Sequence, residues 1–181
     1  LILQTAFIGD VILATSLVDL AKKSFPEAEV HFLLRKGNEG LLKGHPNVDK
    51  IIVWDKKKGK YLNLISLAFK SRKEKYDYVL NIQRFASSGI FMALCGARKK
   101  IGFNKNPLSF LFSHKIEHKI PYPADGGFLH EVQRNALLLA PIVENFILPE
   151  AKSIPPTLHF NQSDIEKVKT FESETYIVLA P

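Results

Sequence analysis

The sequence predicts an α/β fold: a Rossmann-like, mostly parallel sheet flanked by helices. Two observations predict it. Short apolar runs of four or five residues alternate with longer helical patterns from the first residue to about residue 103. Alternation at that spacing implies right-handed strand–helix–strand crossovers and a sheet covered on both faces. The chain's 181 residues, 46% hydrophobic and 24% charged, have the balance of an ordinary globular protein with a sizeable core.

Residues 1–4 read as the end of a strand. Residues 11–23 form a helix that is apolar nearly all round, so it should be well buried. Phe25-Pro26 stops it. Residues 30–34 make a second strand, followed by the turn residues Gly37 and Asn38, and residues 51–54 make a third. Apolar residues at 61, 64, 65 and 68 have helical spacing, which predicts a helix over 61–72. Residues 78–81 form a fourth strand, 87–94 a helix and 100–103 a short fifth strand.

The next stretch, 104–127, is less regular. It holds Pro107, Pro121, Pro123 and Gly126-Gly127, with two short apolar pieces at 108–112 and 115–120. Residues 130–140 read as a helix. Pro141, Pro149, Pro155 and Pro156 mark 141–160 as an interdomain linker. A helix over 163–171, with Ser163 as N-cap, and a strand at 176–179 follow. The expected organisation is a Rossmann-like domain over 1–140, a linker over 141–160 and the start of a second α/β domain over 161–181.

The single cysteine, Cys95, lies beside an apolar run, so it reads as a small buried hydrophobe and no disulfide framework can form. No apolar run approaches the ~20 residues that span a bilayer. The short apolar N-terminus has no basic leader and does not read as a signal peptide. The net charge is +7, and the excess is local. Lys56, Lys57, Lys58, Lys60, Lys70, Arg72, Lys73 and Lys75 stand against only Asp55 and Glu74. Such a segment is either a solvated face or an attraction to something anionic: a phosphorylated lipid, a membrane surface or nucleic acid.

Ligands of parallel sheets bind beyond the carboxyl ends of the strands. That rule selects three loops: residues 5–10, 35–38 and 83–88. The first reads Gln4-Thr5-Ala6-Phe7-Ile8-Gly9-Asp10 and leads into a helix. It has one glycine and no following Walker lysine, so it is neither a dinucleotide fingerprint nor a P-loop. Gly9 allows close approach of a ligand to the backbone. Asp10 reads either as a helix N-cap or as a carboxylate base at the mouth of the sheet. Arg84 can pair bidentately with carboxylate or phosphate, or form a surface ion pair. Ser87 can line the edge or cap its helix. His130 and Arg134 are four apart and share a helix face, where they can bind an anionic sugar or fix the helix. No histidine has metal-ligand spacing with nearby carboxylates, so no metal is expected.

Four phrases carry a family resemblance. They are Gln4-Thr5-Ala6-Phe7-Ile8-Gly9-Asp10-Val11-Ile12-Leu13-Ala14-Thr15, Arg35-Lys36-Gly37-Asn38, Asn81-Ile82-Gln83-Arg84-Phe85-Ala86-Ser87-Ser88-Gly89, and His130-Glu131-Val132-Gln133-Arg134-Asn135, with Ile101-Gly102-Phe103 between the last two. In this order they resemble the N-terminal domain of the ADP-heptose:lipopolysaccharide heptosyltransferases, glycosyltransferase family 9. Within that family the match is nearer to the enzyme that adds the second heptose. The resemblance covers essentially the whole chain.

The resemblance implies the N-terminal half of a two-domain GT-B transferase that inverts the sugar carbon. The N-terminal domain would bind the lipopolysaccharide inner-core acceptor and the C-terminal domain the donor, ADP-heptose, with no cofactor. Asp10 would be the general base. Thr5, Gly9, Gln83, Arg84, Ser87, Ser88, His130 and Arg134 would line the acceptor side. The implied location is cytoplasmic, peripheral on the inner membrane, with the basic stretch 56–75 facing the anionic surface. This half alone should not turn over.

Three competing readings remain at this level: a transferase acting on another sugar nucleotide or acceptor, a non-catalytic α/β binding module, and a nucleic-acid binder. The last rests on charge alone and lacks the interleaved aromatic and basic residues of a single-strand platform.

Overall fold

A computed structural model of the chain describes residues 1–57, 59–118 and 129–169. Its core is a sheet of six strands: β1 (Ile2–Leu3), β2 (His31–Arg35), β3 (Lys50–Trp54), β4 (Tyr78–Asn81), β5 (Lys99–Phe103) and β6 (His114–Ile116). Their order is β3-β2-β1-β4-β5-β6, and every neighbouring pair is parallel. The doubly wound, Rossmann-like architecture is therefore as expected. The chain winds outward from β1 to β3, then returns to β4 on the other side, which makes the β1–β4 seam the switch point.

Helix α1 (Ile8–Ser24) covers one face and helices α2 (Lys60–Ser71) and α3 (Ala86–Leu94) the other. The pleat divides the strand side chains between two cores. Ile2, Phe32, Leu34, Leu80 and Ile82 pack under α1 with Val11, Ala14, Leu17 and Val18. Leu3, Leu33 and Val79 pack under α2 and α3 with Leu64, Ala68, Phe91 and Met92. Cys95 belongs to the second core, where burial pushes its thiol up and its Sγ–H points at the Met92 carbonyl. The short helix α4 (Glu131–Ala136) and the 3-10 turn Leu137–Leu139 return to the first face and pack on α1.

Several sequence expectations are corrected. Helix α1 starts at Ile8, three residues earlier than its apolar pattern, because Gly9 and Asp10 are polar or bare and hide the first turn. The irregular stretch hides a sixth strand, β6, too short to show a pattern. The helix expected over 130–140 is helical only to Ala136 and then tightens to 3-10. Helix α5 (Gln162–Val168) is capped by Asn161, whose side chain accepts from the Asp164 N–H; Ser163 lies inside it. Lys58, Pro121, Pro123, Gly126-Gly127, the end of the 115–120 piece, the last two residues of the 163–171 helix and the strand at 176–179 lie outside the described residues.

The stretch read as a linker packs on α1. Ile142, Val143 and Phe146 pack against the α1 core. Thr157 docks on the flank of α1: its N–H donates to Thr15 Oγ1 at 2.8 Å and its hydroxyl to Asp19 Oδ2 at 2.7 Å. Asp19 also receives Asn47 Nδ2 at 2.8 Å, and buried His45 lies 3.2 Å from the Thr157 hydroxyl.

Candidate functional site

The carboxyl edge of the sheet gathers four loops. Residues 5–10 leave β1, 36–38 leave β2, 55–57 leave β3 and 82–85 leave β4. The loop after β3 was not among those selected from the sequence. Adjacent strands continue their pairing into these loops, through Gln4 N–H to the Leu33 carbonyl and Ile82 N–H to the Leu3 carbonyl. The loops therefore start from fixed positions.

Asp10 stands at the third residue of α1, and the N-cap is Phe7. A phenylalanine cannot accept a hydrogen bond, so the cap runs one way only: the Phe7 N–H donates to Asp10 Oδ2 at 3.0 Å. The reading of Asp10 as itself the N-cap is corrected by three residues; it closes the cap from inside the helix. Oδ1 has no hydrogen-bond partner among the described residues. The carboxylate is thus held by one oxygen, partly buried, beside the switch point, with no hydrogen bond to the other oxygen among the described residues. Gly9 precedes it in the first turn. A Cβ there would meet nothing within 4 Å, and its backbone is helical, so the fold does not require a glycine at this position.

Thr5, Gln83 and Ser88 are buried beneath these loops. The Gln83 carboxamide bridges the β1–β4 seam, 2.8 Å from Thr5 Oγ1 and 2.7 Å from the Gln4 carboxamide. With its oxygen toward the loop it accepts the Ala6 N–H at 2.8 Å, which satisfies a donor otherwise facing another donor. Ser88 Oγ donates to the Phe85 carbonyl at 2.8 Å. Asn106, from beyond β5, binds the same loop from below: its Nδ2 donates to the carbonyls of Phe85 (2.9 Å) and Gln83 (3.2 Å) and to Ser88 Oγ (3.0 Å). These three residues hold the loops in place. Ser87 is the second residue of α3 and makes no cap, since the N-cap is Phe85.

Arg84 is exposed at the tip of this loop. Burial, and then the nearby Arg84 cation, lowers the pKa of Arg134. His118 joins them, lowered by burial first and then by Arg134 and Arg84. Arg134 also bonds Glu131, while its Nε and the His118 Nδ1 are buried with no hydrogen-bond partner among the described residues. His118 stacks edge-on against Phe103 at the end of β5. His130 caps α4, its Nδ1 accepting from the Val132 N–H at 3.4 Å. The structure therefore groups Arg134 with Arg84 and His118, and gives His130 a capping task.

Lys56 is the main residue that sequence reading misplaced. The sequence places it in a basic segment that reads either as a solvated face or as an attraction to something anionic. Its ammonium instead turns inward, donates to the Thr5 carbonyl at 2.7 Å and sits 4.7 Å over the Trp54 ring. Burial, then Arg35 and Lys60, lower its pKa. Arg35 in turn lies over the Phe7 ring at 5.1 Å. Position just after β3 was the available signal, had the edge rule been applied to every strand. The remaining basic residues do not form one patch. Helix α2 has twelve residues, about 18 Å. It puts Lys57 and Lys60 at the site edge and Lys70, Arg72, Lys73 and Lys75 at the opposite edge.

A cavity of about 410 Å³ lies at that opposite edge, lined by Leu1, Phe25, His31, Tyr76 and Tyr78. It is remote from Asp10 and from the carboxyl ends of the strands, so the candidate site is placed at the loops.

No protein-family model matches the sequence. The chain is 29% identical over 115 residues to a lipopolysaccharide heptosyltransferase 1 from Campylobacter coli, covering 64% of the chain and 33% of that protein. It is 26% identical over 181 residues to a lipopolysaccharide heptosyltransferase 3 from Escherichia coli, covering 97% of the chain and 52% of that protein. Its fold matches that of a glycosyl transferase family 9 protein from Veillonella parvula with a TM-score of 0.78, at 16% identity, over 95% of the chain and 48% of that structure. It also matches the E. coli heptosyltransferase WaaC with ADP, with a TM-score of 0.66 at 17% identity, over 83% of the chain and 48% of that structure. The chain thus spans between a third and about half the length of these proteins. The resemblance read from the four phrases is borne out, but the relatives are of more than one kind and do not single out the second-heptose enzyme.

Proposed function

We propose that this chain is the acceptor-side half of an inverting heptosyltransferase, which passes a heptose from ADP-L-glycero-D-manno-heptose to the inner core of a lipopolysaccharide on the cytoplasmic face of the membrane. The observation that carries the reading is Asp10: a carboxylate at the switch point with one oxygen fixed by the Phe7 N–H and the other open. The names of the relatives support heptose and lipopolysaccharide as substrate classes, and the neighbour with ADP supports the donor nucleotide.

In this reading the acceptor hydroxyl lies against Asp10 Oδ1. The carboxylate takes its proton as the oxygen attacks the anomeric carbon from the face opposite the departing ADP, inverting that centre. The transition state is oxocarbenium-like. Fixing Oδ2 on a helix N-terminus holds the base in one orientation, which is the positioning that catalysis needs. By resemblance, the ADP is received by the C-terminal domain. The acceptor's phosphate and carboxylate groups meet Arg84 and Arg134 on one side of the edge and Lys56 and Arg35 on the other. Gly9 leaves the backbone bare where the sugar passes.

The test is transfer itself. The protein should release ADP from ADP-heptose in the presence of a heptose-deficient lipopolysaccharide, and the product linkage should be inverted by NMR. ADP release with a different sugar nucleotide only, or no transfer to acceptors of any heptosylation stage, would refute the reading.

A further inference from the structure

Two helices open at the switch point with a phenylalanine, where a helix start favours serine, threonine, asparagine or aspartate. Phe7 is the N-cap of α1 and Phe85 the N-cap of α3, both with extended backbone. The two positions are equivalent. Leu3 of β1 pairs with Asn81 of β4, and each phenylalanine lies four residues beyond its member of that pair. Both rings project largely into solvent: Phe7 is 71% and Phe85 62% exposed, and neither belongs to either core. One exposed phenylalanine is ordinary. Two at matched places on the edge that holds Asp10, each in a poor capping position, are not explained by folding.

The backbone beneath both rings is fixed. The Phe7 N–H holds Asp10 Oδ2, and the Phe7 carbonyl accepts the Val11 N–H. The Phe85 carbonyl accepts from Asn106 Nδ2 and Ser88 Oγ. The Gln83 carboxamide ties the two loops across the seam. The rings are therefore held in place before a ligand arrives, and binding need not order them. Cations accompany both. The Arg35 guanidinium lies over the Phe7 ring at 5.1 Å, and Arg84 directly precedes Phe85 in the chain. A small inorganic anion would need the cations alone, and an uncharged apolar group the rings alone. Rings and cations together match a pyranose that has an apolar C–H face and carries a carboxylate or phosphate at its edge.

We propose that Phe7 and Phe85 are the specificity-determining pair of the acceptor side: their rings receive the C–H faces of an acidic sugar, and Arg35 and Arg84 meet its anionic groups. The identity of that sugar as the lipopolysaccharide acceptor rests on the proposed function. Phe7 then has two separate tasks. Its ring seats the sugar, and its N–H orients the Asp10 carboxylate. A change of side chain removes the first task and leaves the second in place.

The test is calorimetric titration of the intact protein with deacylated, heptose-deficient lipopolysaccharide, beside transfer to the same acceptor, for Phe7→Ser, Phe85→Ser and Phe7→Tyr. Serine is a favoured N-cap, so both serine variants should keep or raise the unfolding midpoint. Each should weaken saccharide binding roughly threefold to tenfold and raise the acceptor KM alike, with the donor KM unmoved. Phe7→Tyr keeps the ring face and should bind as the unmodified protein does. Full binding by both serine variants would overturn the proposal and leave the proposed function standing, provided transfer is seen. A Phe7→Tyr variant as weak as Phe7→Ser would also overturn it. So would a lowered midpoint with donor and acceptor KM rising together, the sign of rings covered by protein rather than by sugar. Absence of transfer, with binding present and weakened by the serine changes, would sustain the ring assignment and overturn the proposed function. Absence of both binding and transfer in the unmodified protein would overturn both.

Discussion

Replacing Asn106 by alanine should unfasten the loop that carries Arg84. Asn106 is 1% exposed and lies outside every phrase that carries the family resemblance. Its Nδ2 serves the Phe85 and Gln83 carbonyls and Ser88 Oγ, and its Oδ1 accepts the Leu108 N–H at 3.0 Å. The Phe85 carbonyl keeps other donors after the change, namely the amides of Ser88 and Gly89. The Leu108 N–H loses its acceptor. Two net hydrogen bonds at about 1 kcal/mol each, and one orphaned donor at about the same cost, give a loss of about 3 kcal/mol. For a chain of this size that lowers the midpoint by roughly 6–12 °C. Urea unfolding should show it with an unchanged slope, and hydrogen exchange should quicken at residues 84–88. Asn106→Asp should be no better, because its carboxylate would face the two carbonyls. A loss below about 1 kcal/mol, or unchanged exchange in the loop, would refute the assignment of Asn106 as its anchor.

Further changes test neighbouring parts of the structure. Gly89→Ala would place a Cβ 2.5 Å from Asn106 Oδ1 and 2.8 Å from Leu108 Cβ, so it should cost about 1–3 kcal/mol by the same urea assay. Gly9→Ala meets nothing, so stability should stay level or rise by up to about 1 kcal/mol, while transfer falls if the acceptor crosses that surface. Thr157→Val should cost about 2 kcal/mol by releasing Asp19 and His45, seen as a lower midpoint. His31 is bonded to the Tyr76 hydroxyl at 2.7 Å, and burial lowers its pKa below the ordinary 6.5. The folded state therefore prefers the neutral ring. Its contribution is complete above 6.5 and declines as pH falls below that value, where the unfolded chain takes up the proton first. Urea midpoints should follow that slope, and His31→Gln should flatten it.

The sheet was legible because its physics is local. Phe32, Leu33 and Leu34 are apolar in succession because both faces of β2 are covered, and the same holds for β4. β6 was not legible: three residues at the edge, His114-Lys115-Ile116, have no pattern to read. Asp10 could be singled out because a lone carboxylate follows the first strand, yet its cap geometry depends on where α1 begins, and boundaries are weakly encoded. Arg84 and Arg134 could be singled out only one at a time; their grouping with His118 is a product of topology, joining residues 16 to 50 positions apart. Lys56 was hidden by its lysine neighbours, since composition cannot show that one ammonium of several turns onto a backbone carbonyl.

The most direct test of the central claim is transfer by Asp10→Asn in the intact protein beside Asp10→Ala. An asparagine at this third helical position can still accept the Phe7 N–H, so it preserves the cap and removes only the base. If Asp10 is the base, Asp10→Asn should keep its unfolding midpoint and acceptor KM while kcat falls by about 10²-fold or more. If Asp10→Asn transfers heptose at the unmodified rate and only Asp10→Ala is impaired, together with a lowered midpoint, Asp10 is a helix cap and the catalytic assignment is wrong.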